Sequence, residues 1–150
     1  MANIPKELMD LINGGEYCYF ATASKDGMPN VAIIGSTRAV SPDTILISAG
    51  FMNKGFKNVQ ENPQASIIVY SNLPENKMQA SAEDFAKISG GQIKGKVTVL
   101  TSGEVYDQVK NTIRERMGQQ MADMIKAALS LKVEEVYSVG LGPDAGKRIA

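Results

Sequence analysis

The chain has 150 residues with sixteen basic and sixteen acidic side chains, a length that suits one domain and a balance that sets up no field toward nucleic acid or an anionic membrane. It has no histidine and no tryptophan, which removes Ser-His and Cys-His nucleophile pairs, histidine metal sites and any near-neutral imidazole base. No apolar run approaches the roughly 20 residues that span a bilayer, no secretory signal pattern opens the chain, and the single cysteine, Cys18, excludes an internal disulfide, so a cytoplasmic protein is expected.

Ile4, Leu8, Leu11 and Ile12 share one face of a short opening helix, stopped by Gly14-Gly15. Tyr17–Ser24 reads as a first strand, and Lys25-Asp26-Gly27 turns it with a glycine suited to positive φ. Asn30–Val40 reads as a single second strand with Gly35 inside it. An interior strand glycine marks either a bulge or a place where a ligand meets the backbone, and the two carry equal weight. After the Ser41-Pro42-Asp43 turn, Thr44–Ala49 is β-branched and apolar, as a buried third strand should be.

The next segment is the most informative. Asn53 is placed to cap a helix that Asn62-Pro63 ends, before a fourth strand at Ala65–Tyr70. Gly55 leaves room for a ligand near the backbone. The free N–H groups of a helix start favour an anion, and Lys54 adds a full positive charge. A phosphorylated small molecule is the natural ligand of such a site.

Ser71–Gly91 reads as a long surface excursion with one turn of helix at Ala82–Lys87. Gln92–Thr101 is a fifth strand, with Val97 and Val99 on one phase. Helices follow at Glu104–Met117 and Gln119–Lys126, then a sixth strand at Ala128–Ser138 and a loose tail at Gly140–Ala150. Met117, Met121 and Met124 have helical spacing and read as packing or dimer contacts. Cys18 reads as a core residue, and Glu134-Glu135 as a charged edge, since adjacent strand residues point to opposite faces. Short strands with tight turns argue for an antiparallel β-barrel with helical additions. The first three strands lie too close together for βαβ crossovers, and no G-x-G-x-x-G follows the first.

The order of these segments resembles the FMN-binding split barrels related to pyridoxamine 5′-phosphate oxidase. The resemblance is carried by Ala21-Thr22-Ala23-Ser24-Lys25-Asp26-Gly27-Met28-Pro29, by Asn53-Lys54-Gly55 ahead of Glu61-Asn62-Pro63-Gln64-Ala65-Ser66, by Gln92-Ile93-Lys94-Gly95-Lys96-Val97, and by Val133-Glu134-Glu135-Val136-Tyr137. It implies a six-stranded antiparallel split barrel of Greek-key order, forming a homodimer with one FMN in each of two interface clefts. By position it sets Ile33, Ile34, Gly35, Ser36 and Arg38 beside the flavin, with strand alternation turning only one of Ser36 and Thr37 to the cofactor. It sets Ser48 and Ala49 on the strand end lining the cofactor, and Arg38 and Lys54, with Asn53 and Gly55, at the phosphate. The oxidase itself uses C-terminal Trp, Arg and His residues. A chain without Trp or His therefore reads as a small relative that keeps the flavin site and changes the substrate site.

The expected function is that of an FMN-dependent oxidoreductase, because a flavin needs placement and positive charge from the protein rather than a side-chain base. The alternative is a non-catalytic flavin module for storage, delivery or sensing. An empty dimeric scaffold, or another flavin or deazaflavin in the same cleft, completes the range.

Overall fold

In the computed structural model, which describes residues 2–150, β1 (Cys18–Ala23), β2 (Pro29–Ile34), β3 (Arg38–Ser41), β4 (Thr44–Ala49), β5 (Gln64–Ser71), β6 (Ser89–Leu100) and β7 (Ala127–Ser138) form one sheet. The strand order is β2-β1-β5-β6-β7-β4-β3, and every pairing is antiparallel. The meander β5-β6-β7 with β4 returning beside β7 gives a Greek-key order. Five helices are set between the strands: α1 (Lys6–Asn13), α2 (Asn53–Glu61), α3 (Ala82–Ala86), α4 (Glu104–Met117) and α5 (Gln119–Asp123).

The sheet has seven strands and is open, where six were expected in a barrel. The expected strand Asn30–Val40 breaks at Gly35-Ser36-Thr37. Its first half pairs with β1 and its second half with β4, so the two halves become opposite edges of the sheet. A single straight strand cannot serve two ladders that lie at opposite ends of the sheet, and the break lets it change partner. The strand β6 also starts earlier than expected, taking Gly90 and Gly91 into the ladder opposite Tyr70 and Val69. At the irregularity between Lys94 and Gly95 the chains close so tightly that a Cβ on Gly95 would lie 2.0 Å from the Lys132 carbonyl oxygen.

Alternation builds the core. Cys18 and Phe20, Ile45 and Ile47, Ile67 and Val69, and Leu129, Leu131 and Val133 point inward and are buried. The helix α1 closes one end with Leu8 and Ile12, beside Ile4. Burial pushes the Cys18 thiol up from its ordinary range, as befits an inert core side chain.

The tail is not loose. Ile149 N–H donates to the Val136 carbonyl at 2.8 Å, the Val136 N–H donates to Ala150 at 3.0 Å, and Ala150 packs on the core. This last segment covers the part of β7 that runs beyond its partner β4. Among the described residues no helix is long and apolar enough to cross a membrane.

Asp43, in the β3–β4 turn, accepts hydrogen bonds from Lys132, Ser41 and Thr44, which hold its carboxyl down at about 2. A carboxyl lowered on folding contributes stability above its unfolded pKa, which is lost as pH falls toward the folded value. Wild-type stability is therefore expected to drop between about pH 4 and about pH 2 more steeply than that of Asp43→Asn. Urea denaturation at pH 5 and at pH 2.5 compares the two slopes, and parallel slopes would remove Asp43 from the acid transition.

Candidate functional site

The break between β2 and β3 opens a cleft on the outside of the sheet. The residues of β4 that point away from the core, Leu46 and Ser48, form its floor, and α4 forms its far wall. Three adjoining cavities make it up. The middle one, about 270 Å³, runs from Ala32–Ser36 and Ser48 to Gly50–Met52, and is closed by Ile113, Met117, Met121 and Ile125. A second, about 150 Å³, lies between Arg38 and the α4 residues Gln108, Thr112 and Arg116. The largest, about 740 Å³, extends from Gly35, Thr37 and Arg38 to the loop Asn13–Tyr17. Shared linings at Gly35, Ser36, Arg38 and Ser48 join them into one groove.

Local sequence accounts for each wall. Gly35-Ser36-Thr37 leaves the ladder, and the Ser48 N–H donates to Ser36 Oγ at 3.2 Å, which pins the corner to β4. Thr37 turns inward and is buried; its Oγ1 has no hydrogen-bond partner among the described residues. The helix α4 presents Val109, Thr112, Ile113 and Arg116, spaced three or four residues apart, to the groove. A small satellite core of Ile113, Ala122 and Ile125, with Tyr106 and Met121, holds α4 and α5 together.

The structure brings Ile33, Ile34, Gly35, Ser36, Arg38 and Ser48 to the groove. Ile33 is 61% exposed, whereas Ile34 is 6% exposed and touches the cavity from the core side. Ala49 points the other way and is fully buried in the core. Asn53, Lys54 and Gly55 line none of the three cavities; they lie at the start of α2, directly after the cavity residues Gly50–Met52.

Asn53 is not the N-cap. Met52 holds that position with no side-chain capping bond, and Asn53 is the first helical residue. Its Oδ1 accepts instead from Lys126 Nζ at 2.6 Å, a contact between residues far apart in sequence. Gly55 faces inward, where a Cβ would stand 3.8 Å from Asn30 Nδ2 and 3.8 Å from Thr22 Oγ1. Below it the buried Asn58 donates to Thr22 Oγ1 at 3.0 Å. Gly55 thus seats α2 against β1 and β2 rather than opening its backbone outward.

Sequence reasoning missed the α4 wall. Gln108, Thr112 and Arg116 carried no motif, and Met117 and Met121, read as packing or dimer contacts, line the middle cavity. The available signal was the polar stripe at Gln108, Thr112 and Arg116, set four apart on a helix whose other side is also polar. Arg38, Lys54 and Arg116 form no ion pair with a carboxylate among the described residues. Glu134 and Glu135 are spoken for, by Lys96 at 3.8 Å and by Arg148 at 3.6 Å. No cluster of metal-ligating side chains occurs among the described residues.

The groove can therefore take a ligand with a flat apolar body, a few polar edges and negative charge. Known proteins place it further. An uncharacterized protein of Methanocaldococcus jannaschii is 32% identical over 137 residues, covering 90% of this chain and 80% of that protein. The solved structure of HupZ from Group A Streptococcus superposes with a TM-score of 0.72 at 24% identity, covering 95% of this chain and 99% of its own. An FMN-binding protein from Syntrophomonas wolfei subsp. wolfei gives a TM-score of 0.72 at 19% identity, covering 91% of this chain and 86% of its own. The family model described as pyridoxamine 5′-phosphate oxidase matches residues 4–140, nearly the whole chain, and the protein belongs to that family.

Proposed function

We propose that the groove holds FMN and that the protein is a flavin-dependent oxidoreductase acting on a small anionic substrate. The observation that carries this reading is the joining of an apolar cavity, walled by Ile33, Phe51, Met117 and Met121, to a pocket with two arginines free of carboxylates. The apolar part suits a flavin ring, whose polar edges the Gly35–Ser36 backbone and Ser48 border. A bound flavin supplies two-electron redox chemistry. This chain's residues do the rest. Ile33, Ile34, Gly35, Ser36 and Ser48 line the ring, and Asn53 and Lys54 with the first N–H groups of α2 hold the phosphate. Gly55 and Ala49 shape these elements from behind. Arg38, which the resemblance set at the phosphate, lines a pocket with Arg116 and Thr112, and in this reading Arg38 and Arg116 grip a carboxylate or phosphate of the substrate. Ile113 and Met117 keep water from the ring.

We read residues 1–150 as one domain working as a homodimer with the flavin at the interface. Tyr19 and Ile33, directly opposite each other on β1 and β2, leave an outward apolar strip with Val31 and Phe51, the last two 66% and 64% exposed. A strip of that kind beside the groove needs a cover, and a second copy supplies one by two-fold symmetry. The fold likeness to a protein named FMN-binding supports the cofactor.

A second reading, a flavin carrier without turnover, draws on one feature: the two smaller cavities contain no carboxylate, thiol or imidazole. One experiment tests both. The purified protein is expected to show an oxidised-flavin spectrum, with FMN identified by mass after denaturation. Reduction by NADH or NADPH, reoxidation by anionic acceptors, and a raised KM for those acceptors in Arg116→Glu support the enzyme. A bound flavin that no donor reduces supports the carrier. A colourless protein that does not take up added FMN ends the flavin reading.

A further inference from the structure

The largest of the three cavities, about 740 Å³, has one wall without a role so far: the loop from Asn13 to Tyr17, between α1 and β1. The sheet and the loop are tied together by a single side chain. The strand β3 ends the sheet, and its outer edge has no strand beside it. The Asn13 carboxamide takes that place. Its Nδ2 donates to the Ala39 carbonyl at 2.9 Å, and its Oδ1 accepts from the Ala39 N–H at 2.9 Å. A primary amide offers the same donor and acceptor as a peptide group, so Asn13 stands in for one residue of a neighbouring strand. Ala39 turns inward and Arg38, next to it, turns outward. The two bonds therefore hold the loop against the stretch of strand that carries Arg38.

Tyr17 stands at the other end of the loop and is 63% exposed. A Cβ on Gly35 would lie 3.4 Å from Tyr17 Cε1, so the edge of the ring rests against the bare backbone of the β2–β3 corner. Gly35 borders both the middle and the largest cavity, while Arg38 and Arg116 border both the largest and the smallest. The large cavity thus has an aromatic ring toward its apolar neighbour and two guanidinium groups toward its polar one. Glu16 also lines it, but pairs with neither arginine among the described residues, and the two cations outnumber it. An aromatic side chain favours a second ring beyond the area the pair buries, and a guanidinium matches the planar fork of a carboxylate.

We propose that this cavity is a subsite for an aromatic carboxylate, with the ring beside Tyr17 and the carboxylate at Arg38 and Arg116. Asn13 is a positioning residue, which keeps β3 and the loop at a fixed separation. The assignment rests on the substrate half of the function proposed above, and it names the chemical class of that substrate.

The test is calorimetric titration of the purified full-length protein with three probes, with FMN uptake measured on the same preparation. The probes are naphthoate, its saturated decahydro analogue, and naphthalenemethanol, which keeps the ring and lacks the charge. Wild type is expected to bind naphthoate about fivefold more tightly than the saturated acid and roughly tenfold or more tighter than the alcohol. Tyr17→Leu should erase the preference for the aromatic acid and Tyr17→Phe should keep it. Arg38→Gln and Arg116→Gln should each weaken both acids about tenfold and leave the alcohol unchanged. Asn13→Ala should weaken the two acids about fivefold and spare the alcohol. Equal losses of all three probes in Asn13→Ala would make Asn13 a purely structural tie and overturn its assignment. A wild type that binds none of the probes, or binds them all alike, overturns the subsite even where FMN is taken up. A wild type that ranks the probes as expected but takes up no FMN supports the subsite and ends the flavin reading. Because Tyr17, Arg38 and Arg116 are exposed, far-ultraviolet circular dichroism of their variants should match wild type.

Discussion

Lys54→Glu is expected to weaken FMN binding by about 1.5–3 kcal/mol, the usual worth of a hydrogen bond to a charged group, or roughly ten- to a hundredfold. Lys54 is the second residue of α2, exposed and without a carboxylate partner among the described residues. Among the described residues its head group makes no hydrogen bond or ion pair that the change would remove. The fold should therefore keep its denaturation midpoint while the phosphate loses its cation and meets a like charge. Riboflavin affinity should stay put, and raising the salt concentration should narrow the gap between the two proteins. Arg38→Glu should behave differently, because Arg38 lines a pocket with Arg116 and Thr112 that Lys54 does not reach, the pocket proposed for the substrate. It should leave FMN bound and raise KM for an anionic substrate. If Arg38→Glu strips FMN as thoroughly as Lys54→Glu, Arg38 belongs to the phosphate after all.

That pair of residues shows where sequence is legible. Thr44–Ala49, the helix from Asn53 and the helix Glu104–Met117 stand where their periodicity and stop signals put them, because each is decided by neighbours a few residues away. The break at Gly35-Ser36-Thr37 was visible as a glycine inside a strand. Its outcome depended on which strands β2 and β3 would pair with, a question of topology and not of local pattern. Asn53 was a sound N-cap candidate by type. The competing partner, Lys126, lies 73 positions away in sequence, and no local rule could weigh it. The groove's α4 wall was hidden for the same reason. Its polar stripe becomes a site only when β3 comes to stand opposite.

Phe20→Ala is expected to cost roughly 3–5 kcal/mol, the range for truncating a buried aromatic ring. Phe20 is 1% exposed, lies opposite Ala32 on β2 and Ile67 on β5, and is the largest fully buried side chain. Ala32 is too small to move in, and the flanking β-branched side chains are stiff at χ1, so the cavity cannot collapse far. Guanidinium denaturation at pH 7 should show a lower midpoint with an unchanged slope. A loss below about 1 kcal/mol would mean that β1 is not a central strand of the core. For a domain of this size several kilocalories is a large share of the whole, so flavin binding by this variant should be measured well below its melting temperature.

The two walls of the groove belong to different cores. One is the sheet, whose side chains interlock through the main core; the other is α4, held by Ile113, Ala122 and Ile125 and flanked by Gly103 and Gly118 at φ 97° and 94°. Hydrogen exchange should reveal this as two populations of amides, with those of α4 and α5 opening at a lower free energy than those of β7. The same division bears on how such a protein diversifies. If the groove is the binding site proposed above, substitutions at Gln108, Thr112 or Arg116 would alter what the pocket accepts while leaving the sheet untouched, so new specificities could accumulate on α4 without endangering the fold that carries them.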